Sequence, residues 1–247
     1  MGIEATYKKR LLRLVEEMER SLAYWLTARW HANPPIMAQD ELPAASLQRT
    51  MEQLGKRWLS RFDEAAPALA AYFAQAARER VDGRLEEILE RAGFIVDFKT
   101  SRAVQDMLRA TINQNVSLIT NIASEHLNKV EGAVMRSVQA GRDLHSLAEE
   151  LKEIGITSRK RVALICNHQN NLATSQITRV RQLEAGIEMA IWRHSHAGKV
   201  PRPDHVAHDG KPYPVREGIV LNPKEGVCWP GSLINCRCFS QPIIPRR

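Results

Sequence analysis

One long run of regularly spaced apolar residues limits what this chain can fold into. Between about Ala103 and Gln139, an apolar side chain recurs every three or four residues. The run consists of Val104, Leu108, Ile112, Val116, Ile119, Ala123, Leu127, Val130, Val134 and Val138. This spacing is that of one face of an α-helix, and a helix of this length extends for roughly 55 Å at about 1.5 Å per residue. The sequence therefore predicts one long helix over residues 103–139.

Helical spacing also fills the first hundred residues. A first stretch covers residues 11–26 and stops before Pro34–Pro35, which lie in a linker. Further helical stretches follow, with an interruption predicted at residues 81–83 and a C-terminal cap predicted at Gly93, because glycine readily adopts the left-handed conformation that ends a helix.

Two more helices are predicted after the long one. Asp143 can cap the first, which is expected to end at Gly155, and Ser158 can cap the second. Cys166 lies on the apolar side of that second helix and is expected to be a core residue.

The pattern changes from a helical period to a period of two at Gly186. The alternating residues are Ile187, Met189 and Ile191 on one side and Trp192, His194 and His196 on the other. A period of two is that of a β-strand, and the many prolines and glycines beyond it indicate short strands and tight turns. We therefore expect an α+β protein: long helices in the N-terminal two thirds, then a small mixed α/β C-terminal domain with a strand- and turn-rich tail over residues 187–247.

The positive charge of the chain is concentrated in its last third. Residues 158–247 contain 14 Lys and Arg against 6 Asp and Glu, a net charge of +8, whereas residues 1–157 contain 21 against 22. A basic face attracts polyanions, so residues 158–247 are a candidate nucleic-acid-binding region, with an ordinary solvated surface as the alternative. No run approaches the roughly 20 apolar residues of a membrane span, and no membrane partner is expected.

Two of the four cysteines, Cys236 and Cys238, are separated by a single residue. Such a pair cannot easily close on itself as a disulfide, because that bond needs a specific Cα separation and dihedral angle. The sulfurs can bind a metal, pair with a more distant cysteine, or pack as small apolar side chains. On a strand the two side chains face the same way, so both can meet one partner.

The motifs of the tail, taken in order, resemble a known family. A Trp-led strand is followed by an Arg-Pro-x-His turn, a Gly-Lys turn, a Pro-Gly step and Asn-Cys-Arg-Cys. The residues are Trp192, Arg202, Pro203, His205, Gly210, Lys211, Pro230, Gly231, Asn235, Cys236 and Cys238. This order is similar to the head-morphogenesis domain of tailed bacteriophages, the family of the phage Mu F protein and related minor capsid proteins. The resemblance implies an N-terminal helical region over residues 1–100 and a Mu F-like domain over residues 101–247.

The resemblance also implies a function and a location. Proteins of this kind are minor virion components that act with the portal protein in procapsid assembly. The expected partners are the portal, major capsid or scaffold proteins, and packaged double-stranded DNA. The expected place is the interior of the head near the portal vertex, with the host cytoplasm as the site of assembly.

A non-enzymatic role is expected, because the chain has no phosphate-binding loop, nucleophile elbow or zinc-protease motif. The alternative is a metal-dependent nuclease or toxin-like enzyme domain carried in the head. Such an enzyme needs an acidic base beside an open metal position, and the tail offers only Asp204 and Asp209 near its histidines.

A structural zinc ion is the candidate cofactor. The expected ligands are Cys236 and Cys238 with His205, from the matched Arg-Pro-x-His motif, and His196. Cys228 competes for the fourth place. Two thiolates and two imidazoles suit the tetrahedral preference of zinc, and a closed site leaves no position for a catalytic water. Thiols packed without a metal remain the alternative.

Overall fold

The computed structural model describes residues 3–32, 43–139, 144–196 and 200–244. Four long helices make up most of it: α1 (Ile3–Ala32), α2 (Pro43–Arg91), α3 (Arg102–Gln139) and α4 (Leu144–Glu184). Short strands follow in the C-terminal region, so the α+β class and the long helix predicted over residues 103–139 are confirmed. The predicted linker around Pro34–Pro35 lies outside the described residues. No helix in the described ranges is long and apolar enough to cross a membrane.

Two predicted helix boundaries are wrong. Helix α2 continues through residues 81–83, because Val81, Leu85 and Leu89 carry its buried face onward at a spacing of four. Helix α4 likewise continues through Gly155 and through Ser158, which was predicted to cap a separate helix. A Cβ atom at Gly155 would lie only 3.1 Å from the carboxylate of Glu19, so this glycine permits a close approach and does not end a helix.

The helix ends predicted at Gly93 and Gly186 are confirmed. Each glycine has a positive φ, +86° and +73° respectively. The amide of Gly93 donates to the carbonyl of Glu90, and the next amide donates to that of Leu89. The same pair of bonds recurs around Gly186. This is the Schellman arrangement, which satisfies the last carbonyls of a helix and turns the chain away from its axis.

In its described residues, the C-terminal region contains five short strands and one short helix. They are β1 (Met189–Arg193), α5 (Pro203–Ala207), β2 (Pro212–Pro214), β3 (Ile219–Val220), β4 (Val227–Cys228) and β5 (Phe239–Pro242). Strand β1 is the centre of a three-stranded antiparallel sheet with the order β2-β1-β5, and β3 pairs with β4. The Arg-Pro-x-His segment, expected as a turn, is the start of α5, because Pro203 occupies the first turn of that helix, where no amide is needed.

The chain forms two compact units, each assembled from two separate segments. The first unit combines Met1–Ala70 with Gln114–Ile165, and the second combines Ala71–Asn113 with Cys166–Arg247. The division into residues 1–100 and 101–247 expected from the family resemblance stays a prediction.

The interior of the first unit is formed by apolar faces of its helices and also contains buried polar pairs. On α1 the fully buried residues are Tyr7, Leu11, Val15, Met18, Leu22 and Leu26. The hydroxyl of Tyr7 donates to Oδ1 of Asn115 at 3.0 Å, which satisfies both groups away from water.

The core of the second unit joins the tail to its helices. Its buried members are Leu85, Leu89, Ile187, Ala190, Trp192, Tyr213, Val215, Cys228, Cys236 and Cys238. Cys166 is also fully buried, as predicted. All four cysteines are free thiols.

Candidate functional site

Three of the predicted metal ligands meet in the interior of the second unit. Nδ1 of His205 lies 3.5 Å from Sγ of Cys236 and 3.6 Å from Sγ of Cys238. The three donor atoms all lie within 4.8 Å of one another, and all three residues are buried. The cluster joins α5 to the segment that precedes β5.

The histidine is held in place by its neighbours in α5 and β1. The ring of His205 packs edge-on against the indole of Trp192, with 5.1 Å between the ring centroids. Trp192 is fully buried in β1. Two other motif residues fix this strand, because Gly210 donates its amide to the Trp192 carbonyl and Lys211 accepts the Trp192 amide, each at 2.9 Å.

The cysteine segment is shaped by residues with unusual backbone conformations. Asn235 has a φ of +59°, and the amide of Cys236 donates to the Leu233 carbonyl. Nδ2 of Asn171 on α4 donates to the Cys236 carbonyl at 2.9 Å. These bonds turn the chain so that both sulfurs point to His205.

Gly231 brings the same segment close to α4. Its φ is +85°, and a Cβ there would lie 3.1 Å from the Cys238 carbonyl oxygen and 3.2 Å from that of Asn171. Only glycine combines this conformation with so close an approach.

The far nitrogen of His205 faces a carboxylate. Nε2 lies 3.7 Å from Oε2 of Glu225, whose other oxygen accepts a hydrogen bond from Nε of Arg202 at 3.1 Å. Arg202 also donates to the Ile234 carbonyl. The sequence analysis did not identify Glu225, because this residue belongs to none of the tail motifs. It lies in the loop between β3 and β4, and the pairing of these strands places it beside the cluster.

The other two predicted ligands lie outside the three-residue cluster. His196 is exposed, with a φ of +52°, and its Nε2 lies 3.0 Å from Oδ2 of Asp209. Asp209 also accepts the His194 amide, and these two hydrogen bonds keep the pKa of its carboxyl below the usual range. Cys228 is buried in β4, where its thiol donates to the Ile219 carbonyl at 3.4 Å.

The two clustered thiols are electrostatically unequal. Hydrogen bonding from Cys238 lowers the pKa of the Cys236 thiol to about 4, and the His205 ring acts in the same direction. The resulting thiolate raises the pKa of Cys238. Burial alone would lower the pKa of His205, but hydrogen bonding and attraction to Cys236 outweigh burial, so its pKa is raised. The cluster can therefore hold a thiolate beside an imidazolium.

A basic cleft of about 270 Å³ forms a second feature of this unit. Arg80 and Arg84 border it from α2, and Arg237 borders it from the segment before β5. The α4 side is polar and consists of Asn170, Asn171, Thr174, Ser175, Thr178 and Gln182. None of the described residues that line the cleft is acidic. The two α2 arginines lie outside the basic stretch noted in the sequence, although their spacing of four places them on one helix face.

Comparison with known proteins identifies a bacterial relative. The chain is 30% identical, over 146 residues, to a Haemophilus influenzae protein described as an uncharacterized protein. The match covers 59% of this chain, but the chain spans only 31% of that relative. No solved structure gives a significant match.

A family model covers the residues that build the cluster. It spans residues 128–240, from the second half of α3 to the start of β5, and includes every motif residue of the tail. The family resemblance found in the tail motifs is thereby confirmed, and residues 128–240 match the family described as Phage Mu protein F like protein.

Proposed function

We propose that this chain is a minor capsid protein of a tailed bacteriophage that acts with the portal protein in head morphogenesis and procapsid assembly. The observation that carries the proposal is the family match over residues 128–240. In this proposal the protein lies inside the head near the portal vertex, where it also meets the major capsid or scaffold proteins.

The way the motif residues pack supports a structural role. Gly210 and Lys211 hold the backbone of β1, Trp192 packs on His205, and Gly231 allows the cysteine segment to approach α4. These contacts stabilise the tail. A family motif used in this way specifies a fold that other head proteins can bind.

Contact with packaged DNA is the second part of the proposal, and the basic cleft supports it. The described lining of the cleft contains three arginines and no acidic residue, and this composition favours binding of phosphate groups. The Asn, Thr and Ser side chains of α4 add neutral hydrogen-bonding groups, which also contact phosphate oxygens in protein–DNA interfaces. The cleft therefore suits sequence-independent binding of a nucleic-acid backbone.

Quantitative mass spectrometry of purified procapsids and virions tests the assembly role. We expect the protein in the head at far below the stoichiometry of the major capsid protein. We also expect the full chain to co-purify with the portal protein of the same phage when these two proteins alone are co-expressed. Absence from both particles would refute the proposal, and presence without portal binding would refute the portal contact.

A second candidate is a metal-dependent nuclease or toxin-like enzyme. The three-ligand cluster favours it, because catalytic zinc sites combine three protein ligands with a water. Incubating the full chain with linear and circular DNA, with and without added zinc, tests this candidate. Metal-dependent cleavage that is lost in His205→Ala would support it, whereas intact DNA under all conditions would reject nuclease activity.

A further inference from the structure

We propose that Nδ1 of His205 and the Sγ atoms of Cys236 and Cys238 bind one zinc ion, with Glu225 orienting His205 and the fourth position open to solvent. The proposal concerns how the tail is held together and is independent of the role in head assembly. It also revises the ligand set expected from the sequence, since it leaves out His196 and Cys228.

The first argument is the geometry of the donor atoms. Tetrahedral zinc with bonds of about 2.3 Å to sulfur and about 2.0–2.1 Å to nitrogen places a sulfur and a nitrogen ligand about 3.6 Å apart. The two observed separations are 3.5 and 3.6 Å. A neutral imidazole nitrogen has a single in-plane lone pair or proton, so one thiol can bond to it in line. Two sulfurs at nearly equal distances from one nitrogen fit a shared ion.

The second argument is the identity and burial of the donors. Thiolate and imidazole are the ligands that zinc takes in structural and catalytic protein sites. Cys236 and Cys238 are 3% and 7% exposed and His205 is 2% exposed, so competition from water is low. They come from segments 31 and 33 residues apart, which an ion would tie together.

The third argument is independent of the sulfurs and concerns the opposite side of His205. Metal-binding histidines usually donate their second ring N–H to a carboxylate, which fixes the tautomer and the ring orientation. Nε2 of His205 faces Oε2 of Glu225 at 3.7 Å, and both atoms are buried without a hydrogen-bond partner in the described part of the chain. Arg202 anchors the other carboxylate oxygen. A metal on Nδ1 would leave the ring proton on Nε2, directed at this carboxylate.

The fourth position follows from what surrounds the cluster. A small cavity of about 40 Å³ borders His205, Cys236 and Cys238 and is also lined by His194. This volume holds one water molecule. The other nearby candidate ligands have different partners. Nδ1 of His194 accepts a hydrogen bond from the His196 amide at 3.1 Å, and the His196 ring pairs with Asp209. The Cys228 thiol donates a hydrogen bond to the Ile219 carbonyl. We therefore assign the fourth position to a solvent molecule in this cavity.

Zinc content of the untagged full chain provides the direct test. After expression with added zinc and gel filtration, elemental analysis should give one zinc per chain. Cys236→Ser, Cys238→Ser and His205→Ala should each lose most of it. Cys228→Ser and His196→Ala are the matched controls and should keep the full content. Less than one zinc per ten folded chains, or zinc loss in the His196→Ala control, would overturn the proposed site.

Glu225→Gln keeps the test informative if the ligand variants fail to fold. Loss of a carboxylate behind a metal-binding histidine typically weakens metal affinity about 10–100-fold. We expect a weakening of that order in competition with a chromophoric chelator. We also expect a thiolate-to-cobalt charge-transfer band after cobalt substitution. An unchanged affinity would refute the role of Glu225, and absence of the band in cobalt-loaded protein would refute thiolate binding. Neither result bears on assembly with the portal.

Discussion

His126 is a histidine buried in the interior of the first unit. Its side chain is on α3, 2% of the residue is exposed, and Nδ1 lies 2.8 Å from Oγ of Ser158 on α4. Burial, with a smaller contribution from Lys129 and Arg159, lowers the pKa of His126 from 6.5 to about 4. The folded protein therefore keeps this histidine neutral at a pH where the unfolded chain protonates it.

The stability of the protein should fall as the pH is lowered from about 6.5 to about 4. In this window the unfolded state binds more protons than the folded state, so acid favours unfolding. The slope due to His126 is at most about 1.4 kcal/mol per pH unit. Urea denaturation at several pH values should show this dependence reduced in His126→Gln. Ser158→Ala should keep most of it, because burial is the main cause; identical slopes in wild type and His126→Gln would contradict the assignment.

Single residues were predictable where their chemistry alone restricts them. Cys236, Cys238 and His205 could be grouped because few residue types bind metals and the motif order set them apart. Glu225 could not be assigned to this group, since an isolated carboxylate in a loop carries no signal for one particular role. Gly155 and Ser158 carry ordinary cap signals, but tertiary contacts with Glu19 and His126 decide their roles.

At the scale of elements, Arg181 joins three parts of the second unit. Its guanidinium is fully buried in α4 and forms a bidentate pair with Asp82 on α2, with both contacts at 2.7 Å. It also donates to the Lys99 carbonyl in the α2–α3 connection and to Glu184, and it packs over the ring of Phe98. One side chain therefore satisfies partners on two helices and a loop.

Replacing Arg181 with alanine should destabilise the protein by roughly 3–5 kcal/mol, since the change removes the bidentate partner of the mostly buried Asp82 carboxylate and leaves it the longer contact with Arg78 at 4.0 Å. Arg181→Lys should recover only part of this loss, because an ammonium cannot form the bidentate pair. Arg91→Ala, which removes an exposed pair with Glu87, is the control and should leave the unfolding midpoint nearly unchanged. Equal midpoints for Arg181→Ala and Arg91→Ala would contradict the prediction.

Elements were predictable where a period was unbroken, whereas the longer helices α2 and α4 were each predicted with a break near a glycine. The apolar period of α3 repeats often enough to leave no other interpretation, and the period of two identified β1. The remaining strands have two to four residues, too few to show a period, and depend on pairing with β1 or with each other. The segment that forms α5 was predicted as a turn, because five residues are too few to show a helical period.

The charge distribution of the whole molecule leads to a DNA-binding prediction. We expect the full chain to bind duplex DNA with little sequence preference and an affinity that falls steeply with salt. The triple change Arg80→Gln, Arg84→Gln and Arg237→Gln should weaken binding at low salt and reduce the slope of log K against log salt by up to about three. Fluorescence anisotropy at several salt concentrations measures both quantities.

Exposed arginines that do not line the cleft provide the control for that experiment. Arg13, Arg49 and Arg57 lie on α1 and α2 in the first unit, and their combined replacement by glutamine removes the same charge. Binding should then stay closer to wild type than in the cleft variant. An equal loss in both variants would show that net charge, and not the cleft, attracts the DNA.

The overall basic character was readable from the sequence, but the cleft was not. Counting charges found the last third of the chain, whereas Arg80 and Arg84 reach the cleft only because α2 packs beside the tail in the second unit. Such a surface combines segments distant in sequence, and no local pattern reveals it. The family match covers residues 128–240 and leaves the α2 contribution outside.

The interleaved segments of the two units have a consequence for biosynthesis. The pairs Tyr7–Asn115, Glu19–Arg159 and Asp82–Arg181 span 108, 140 and 99 residues of chain. As the chain leaves the ribosome, residues 71–113 must wait for residues 166–247 before their unit can close. Leu85 and Leu89 lack their partners from the later segment during that delay, and exposed apolar surface of this kind favours aggregation. A chain stopped at residue 165 would contain both segments of the first unit and leave the second permanently open.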